Sequence, residues 1–163
     1  MRHVELKAVV PAKRGPDVFD EIIRWERYPE LAPHVHATEV HATLPSDDCS
    51  SSWELHFRSG LLRWTERDEF SREALTVRFE QTDGDFDSFT GTWTLRQDGD
   101  DVEVTFAADF DFGIPSLEGI LDPIAERVLK ESVAWTLTGL FPGTVLVGDV
   151  NLTDARPDGV VAA

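Results

Sequence analysis

The sequence has 163 residues, single-domain size, and its 41% apolar and 10% aromatic content can form a core without a covalent staple. Its net charge of −16, from 31 acidic against 15 basic side chains, argues against nucleic-acid and anionic-membrane partners, which attract Lys and Arg. Cys49 is the only cysteine, which excludes an intrachain disulfide and a thiolate metal cluster. No apolar run reaches membrane-span length and the N-terminus lacks a signal-peptide core, so a cytoplasmic location is expected.

Residues 2–10 alternate, with Val4, Leu6, Ala8 and Val10 on one side and His3, Glu5 and Lys7 on the other, which predicts a strand. Pro11 and Arg14-Gly15-Pro16 end it. A short helix is expected from Asp17 to Arg24, burying Val18, Phe19, Ile22 and Ile23. A second short helix or turn around Pro29 stops at Pro33. Strand-like alternation then fills 35–44, 50–58, 61–70, 74–81, 87–97 and 101–112. Short polar connections such as Ser59-Gly60 and Ser71-Arg72-Glu73 suit antiparallel hairpins.

Pro115-Ser116 opens a helical turn, and Asp122-Pro123 reads as a second start, with Asp as N-cap and Pro at the first helical position. From there to Phe141 the apolar stripe of Ile124, Ala125, Val128, Leu129, Val133, Leu137 and Leu140 predicts a helix about 28 Å long. Pro142-Gly143 stops it. The domain is expected to occupy 1–143, with 144–163 a partly disordered extension; its apolar segment 144–150 has no assigned place.

These elements define an α+β fold, a curved antiparallel sheet of about seven strands over a long C-terminal helix. One face of each strand is rich in Trp and Phe, whereas the helix stripe includes Ser132 and Gly139. Small residues opposite large rings can leave a ring-lined void for a planar or oily ligand. The same stripe also builds an ordinary packed core.

Glu66 and Asp68 share the parity of Leu62, Trp64 and Phe70. If that face is inward, two carboxyls enter an aromatic interior, where burial beside a like charge holds at least one of them protonated. A neutral and an ionised carboxyl together can act as general acid and general base. A twist at the strand end would instead leave Asp68 in water. Tyr28, in the turn after Trp25, can orient a substrate carbonyl or staple the short helices to the sheet. His34, His36 and His41 do not complete a zinc pattern, and His56 falls on a polar face. No phosphate loop, dinucleotide fingerprint or serine nucleophile elbow is present.

Four segments carry a resemblance. Trp25-Glu26-Arg27-Tyr28-Pro29 resembles the Trp-x-x-aromatic-Pro turn of the polyketide cyclase/dehydrase branch of the START-like superfamily. Arg63-Trp64-Thr65-Glu66-Arg67 resembles that family's Trp-containing strand. Phe86 with Trp93 matches its later strand, and Ala108-Asp109-Phe110 the approach to its long helix. The resemblance covers about residues 2–141 and implies a helix-grip (START/Bet v 1-like) fold with two short helices after the first strand. It also implies a cavity for a hydrophobic or polyketide-type molecule, without metal or organic cofactor. One departure stands out: Glu66 and Asp68 occupy the inward positions where aromatase/cyclases commonly carry a small hydroxyl residue and an arginine.

The activity so implied is cyclisation or dehydration of a polyketide-type intermediate. Glu66, Asp68 and Tyr28 are the candidate catalytic groups. Trp25, Trp53, Phe57, Trp64, Phe79, Phe89, Trp93, Phe106 and Trp135 are the candidate substrate contacts. The rival expectation is a non-catalytic carrier for a hydrophobic metabolite. An acyl carrier protein and a second copy of the chain are the candidate protein partners.

Overall fold

The computed structural model describes residues 1–148, 150 and 152. Seven long strands form in sequence: β1 (Arg2–Val10), β2 (Val35–Ala42), β3 (Cys49–Phe57), β4 (Gly60–Ser71), β5 (Thr76–Gly84), β6 (Ser88–Asp98) and β7 (Asp101–Asp111). A short β8 (Val145–Val147) pairs with the free side of β1, giving an eight-stranded order β2-β3-β4-β5-β6-β7-β1-β8. Consecutive strands from β2 to β7 pair antiparallel, as their short connections require. The chain then closes by laying β7 against β1 in unbroken register from Arg2↔Phe110 to Val10↔Val102. The unplaced apolar segment therefore has a role within the described residues, since β8 covers part of the edge of β1.

Two helices follow β1: α1 (Gly15–Ile22) and, after a 3-10 turn at Trp25–Arg27, α2 (Tyr28–Leu31). Buried Val18, Phe19 and Ile22 anchor α1. Ile23, expected on the same buried face, is only partly buried and lies past the helix end. The long helix α3 spans Glu118–Leu140, preceded by a 3-10 turn at Pro115–Leu117. It starts earlier than the Asp122-Pro123 signal predicts, with Pro123 inside it. Pro123 and Gly119 are both exposed, so the carbonyl that loses its partner to the proline faces water and the interruption costs less than in a buried turn.

Inward side chains of the sheet meet α1, α2 and α3 in one core. Alternation is clearest in β7, where Val102, Val104, Phe106, Ala108 and Phe110 are all buried. The sheet bends beside the site through a register shift. Thr65 opposes Asp83 and Glu66 opposes Gln81, leaving Thr82 as an extra residue in β5. Gly91 lets a ring lie on the backbone: an added Cβ would sit 2.2 Å from Phe79 Cζ.

Candidate functional site

Period-two geometry puts Leu62, Trp64, Glu66 and Asp68 of β4 on the buried face and Arg63, Arg67 and Glu69 in solvent. The neighbouring strand β3 meets them in register, Trp53 opposite Trp64, Ser51 opposite Glu66, and Cys49 opposite Asp68. The Trp53 and Trp64 rings stack 6.0 Å apart and 4° from parallel. The turn before α2 brings Trp25 and Tyr28 edge-on to Trp53, at 5.5 and 5.2 Å. Thr38 fixes that turn by donating its hydroxyl to the Trp25 carbonyl at 2.9 Å.

These rings line a cavity of about 50 Å³, room for a few waters and well short of the roughly 300 Å³ at which ligand pockets begin. Any ligand larger than that must move the walls. Trp25, Trp53, Trp64 and Trp93 line it with Phe79, Phe89 and Phe106, and Tyr28 and Glu66 also reach it. Leu129, Ser132 and Val133 bring the surface of α3 to its other side.

Glu66 and Asp68 are both buried, at 4% and 3% exposure. Desolvation pushes the Glu66 carboxyl well above its usual range, and Asp68 beside it pushes the same way against the indole N–H of Trp64. Trp64 Nε1 donates to Glu66 Oε1 at 2.7 Å. Asp68 is also raised, chiefly by desolvation, but hydrogen bonding from Glu66, Ser51 and Trp25 counteracts it. Ser51 Oγ donates to Asp68 Oδ2 at 2.8 Å, and Trp53 Nε1 supports Ser51 at 3.0 Å. Trp25 Nε1 is buried and completes no hydrogen bond of good geometry, yet lies close enough to favour the Asp68 anion. Burial pushes both carboxyls up, Glu66 the further, and their mutual interaction raises Glu66 while lowering Asp68, so of the two Glu66 is the one that favours the proton. Asp68 Oδ1 is buried and has no hydrogen-bond donor of its own.

Other candidates fall elsewhere. Asp68 stands behind Glu66 and does not line the cavity. Tyr28 lines it, but its hydroxyl donates to the Ile22 carbonyl at 2.7 Å, so its proton fastens α2 to α1. Phe57 sits at the end of β3, partly buried against Phe112 at 5.8 Å and away from the cavity wall. Trp135 is partly buried on α3, also away from the wall. Ser132 lines the void, whereas Gly139 makes room for Leu31, whose Cδ2 would lie 2.9 Å from an added Cβ.

The histidines are dispersed. His34 is fully buried, with Nε2 2.7 Å from Glu131 Oε1, and Arg127 Nε reaches Glu131 Oε2 at 3.1 Å. His41 bonds Ser52 at 2.7 Å. His56, expected in solvent, is half-buried with the His36 ring edge-on at 5.1 Å. Among the described residues no three His, Cys, Asp or Glu side chains form a group that could hold a metal ion. Three partners escaped sequence reasoning: Ser51 as donor to Asp68, the Trp64 indole as donor to Glu66, and Glu131 as partner of His34. Ser51 and Trp64 carry a sequence signal, their inward parity with Trp53 and Glu66; Glu131 carries none.

A bent antiparallel sheet closed on a C-terminal helix over an apolar cavity defines the helix-grip class, shared by START and Bet v 1-like proteins. The chain belongs to the polyketide cyclase / dehydrase and lipid transport family, whose model matches residues 11–137. Its fold matches the crystal structure of TTHA0849 from Thermus thermophilus with a TM-score of 0.74 and 27% identity, over 85% of this chain and 94% of that one. The Zhui aromatase/cyclase from Streptomyces sp. R1128 matches with a TM-score of 0.66 and 16% identity, over 85% and 90%. Ginseng major latex-like protein 151 from Panax ginseng matches with a TM-score of 0.62 and 16% identity, over 85% and 97%. The last two likenesses speak to fold alone. No curated protein matches the chain.

Proposed function

We propose that the protein is a cofactor-independent cyclase/dehydratase of a polyketide-type intermediate, with Glu66 and Asp68 as its proton-transfer pair. The observation that carries this reading is the buried carboxyl pair at a ring-lined cavity. Burying a carboxylate beside a second carboxyl costs stability, and such pairs cluster where protons move. The family supports the substrate class.

Glu66 Oε1 accepts a proton from a ketone α-carbon while Glu66 passes its own proton to Asp68. The substrate becomes an enolate and the pair holds one extra proton. The enolate carbon bonds to a second carbonyl carbon, and the new alkoxide takes that proton back. For dehydration the pair removes a neighbouring C–H proton and delivers a proton to the departing hydroxyl, which leaves as water. The aromatic walls hold the chain folded so that these carbons meet, which supplies much of the rate.

Deuterium uptake at the α-carbons of 2-tetralone, followed by proton NMR, tests the pair. The wild-type protein should accelerate uptake, and Glu66→Gln should reduce the acceleration at least about 100-fold with 2-tetralone binding retained. Equal uptake in the two proteins, with equal binding, would place the protein with non-catalytic carriers.

A further inference from the structure

The reading of the cavity as the substrate site leaves open what kind of molecule its polar atoms select. Three oxygen-bearing side chains reach the wall: Tyr28, Glu66 and Ser132. Two of them have turned their protons away. Tyr28 Oη donates to the Ile22 carbonyl at 2.7 Å, and Ser132 Oγ donates to the Val128 carbonyl at 2.6 Å. Each hydroxyl retains lone pairs and has no second proton to give. Glu66 Oε1 is itself an acceptor, from Trp64 at 2.7 Å, and the proton on Glu66 points to Asp68. The Trp53 indole N–H is spent on Ser51 at 3.0 Å, and the Trp25 indole N–H, which completes no hydrogen bond, is turned toward Asp68. No Lys, Arg or His lines the cavity among the described residues.

We propose that this cavity selects neutral ring compounds that bring their own hydrogen-bond donors, phenol or enol hydroxyls, and that Tyr28 Oη and Ser132 Oγ are the specificity-determining acceptors. A carboxylate or phosphate group finds no cation on the wall and meets the negative charge of Asp68 behind it. An enol hydroxyl meets an acceptor on α2 or α3 without breaking either backbone bond. This orients the substrate with its hydroxyls on the helices and leaves a C–H edge for Glu66 on the sheet side.

The proposal rests on the cavity being the binding site and is tested by binding alone, so it stands or falls apart from the proton-transfer chemistry. Isothermal titration calorimetry would compare resorcinol, which carries two donors, with 1,3-difluorobenzene of similar shape and no donor, and with the benzoate anion. Ser132→Ala should weaken resorcinol about five-fold, the worth of one hydrogen bond, and leave 1,3-difluorobenzene within two-fold. Tyr28→Phe should do the same, and Ser132→Ala keeps the test sound if the loss of the Ile22 bond unfolds Tyr28→Phe. Benzoate should show no saturable binding at neutral pH. Absent saturable resorcinol binding, equal losses for both neutral probes, unchanged resorcinol affinity in Ser132→Ala, or benzoate binding as tightly as resorcinol overturns the proposal.

Discussion

Replacing Glu66 by Gln should make the protein more stable, and increasingly so as the pH rises. In the fold Glu66 is held protonated, so the folded state binds a proton that the unfolded state releases above the ordinary carboxylate pKa of 4.5. A raised folded pKa gives stability that is complete below the unfolded pKa and is lost as pH climbs toward the folded one. Each pH unit in that window contributes about 1.4 kcal/mol, so the loss at pH 7 reaches a ceiling of about 3 kcal/mol. Gln mimics the neutral acid: its carbonyl can still accept from Trp64 and its amide can face Asp68, and it does not ionise when unfolded. Its N–H is a weaker donor to Asp68 than a carboxyl O–H, which takes back about 1 kcal/mol. The net gain near neutrality is about 1–2 kcal/mol, several degrees in Tm for a chain of this size. Urea unfolding of both proteins from pH 4 to pH 8 reads the effect. The wild-type curve should fall more steeply with pH and the two should converge toward acid. Parallel curves, or a Gln variant less stable at pH 8, would refute a protonated Glu66.

Gly91→Ala should destabilise by about 1–3 kcal/mol in urea titrations, because the new methyl group pushes the Phe79 ring off the backbone toward the cavity, and it should weaken resorcinol binding as well. Glu131→Ala should cost about 2–4 kcal/mol, since it removes the carboxylate facing buried His34; a loss below about 0.5 kcal/mol would make that pair a bystander. Trp135→Phe should be neutral or mildly stabilising, because the indole N–H is buried without a hydrogen-bond partner and phenylalanine removes that unpaired donor. Raising NaCl from 0.05 to 0.5 M should raise the urea midpoint, because a net charge of −16 repels itself and salt screens the repulsion.

Alternation made the sheet legible because each strand has one wet and one dry face, which fixes both its existence and its register. That logic puts Glu66 and Asp68 on the same face as Leu62 and Trp64 but leaves open a strand-end twist that would wet Asp68; all four are buried. It failed where periodicity is too short to register. Three residues of β8 cannot display a pattern, and they find their place only through the edge of β1. Asp122-Pro123 imitates a helix N-terminus and masks the true start of α3 at Glu118; the rule assumes a proline avoids helix interiors, and solvent at Gly119 relaxes it. Phe57 has inward parity yet lies off the cavity, because it ends β3 and its ring packs on Phe112 instead. The direction in which each hydroxyl donates, and with it the accepting character of the cavity wall, depends on contacts such as Tyr28 to Ile22 that no spacing encodes.

Infrared spectroscopy reaches the shared proton most directly. A neutral carboxyl group has a C=O stretch distinct from that of a carboxylate. Wild-type protein in D2O at pH 7 should show one such band, and Glu66→Gln should remove it. If the wild-type spectrum at pH 7 contains only ionised carboxylates, or if the neutral band survives in Glu66→Gln, Glu66 does not hold the proton.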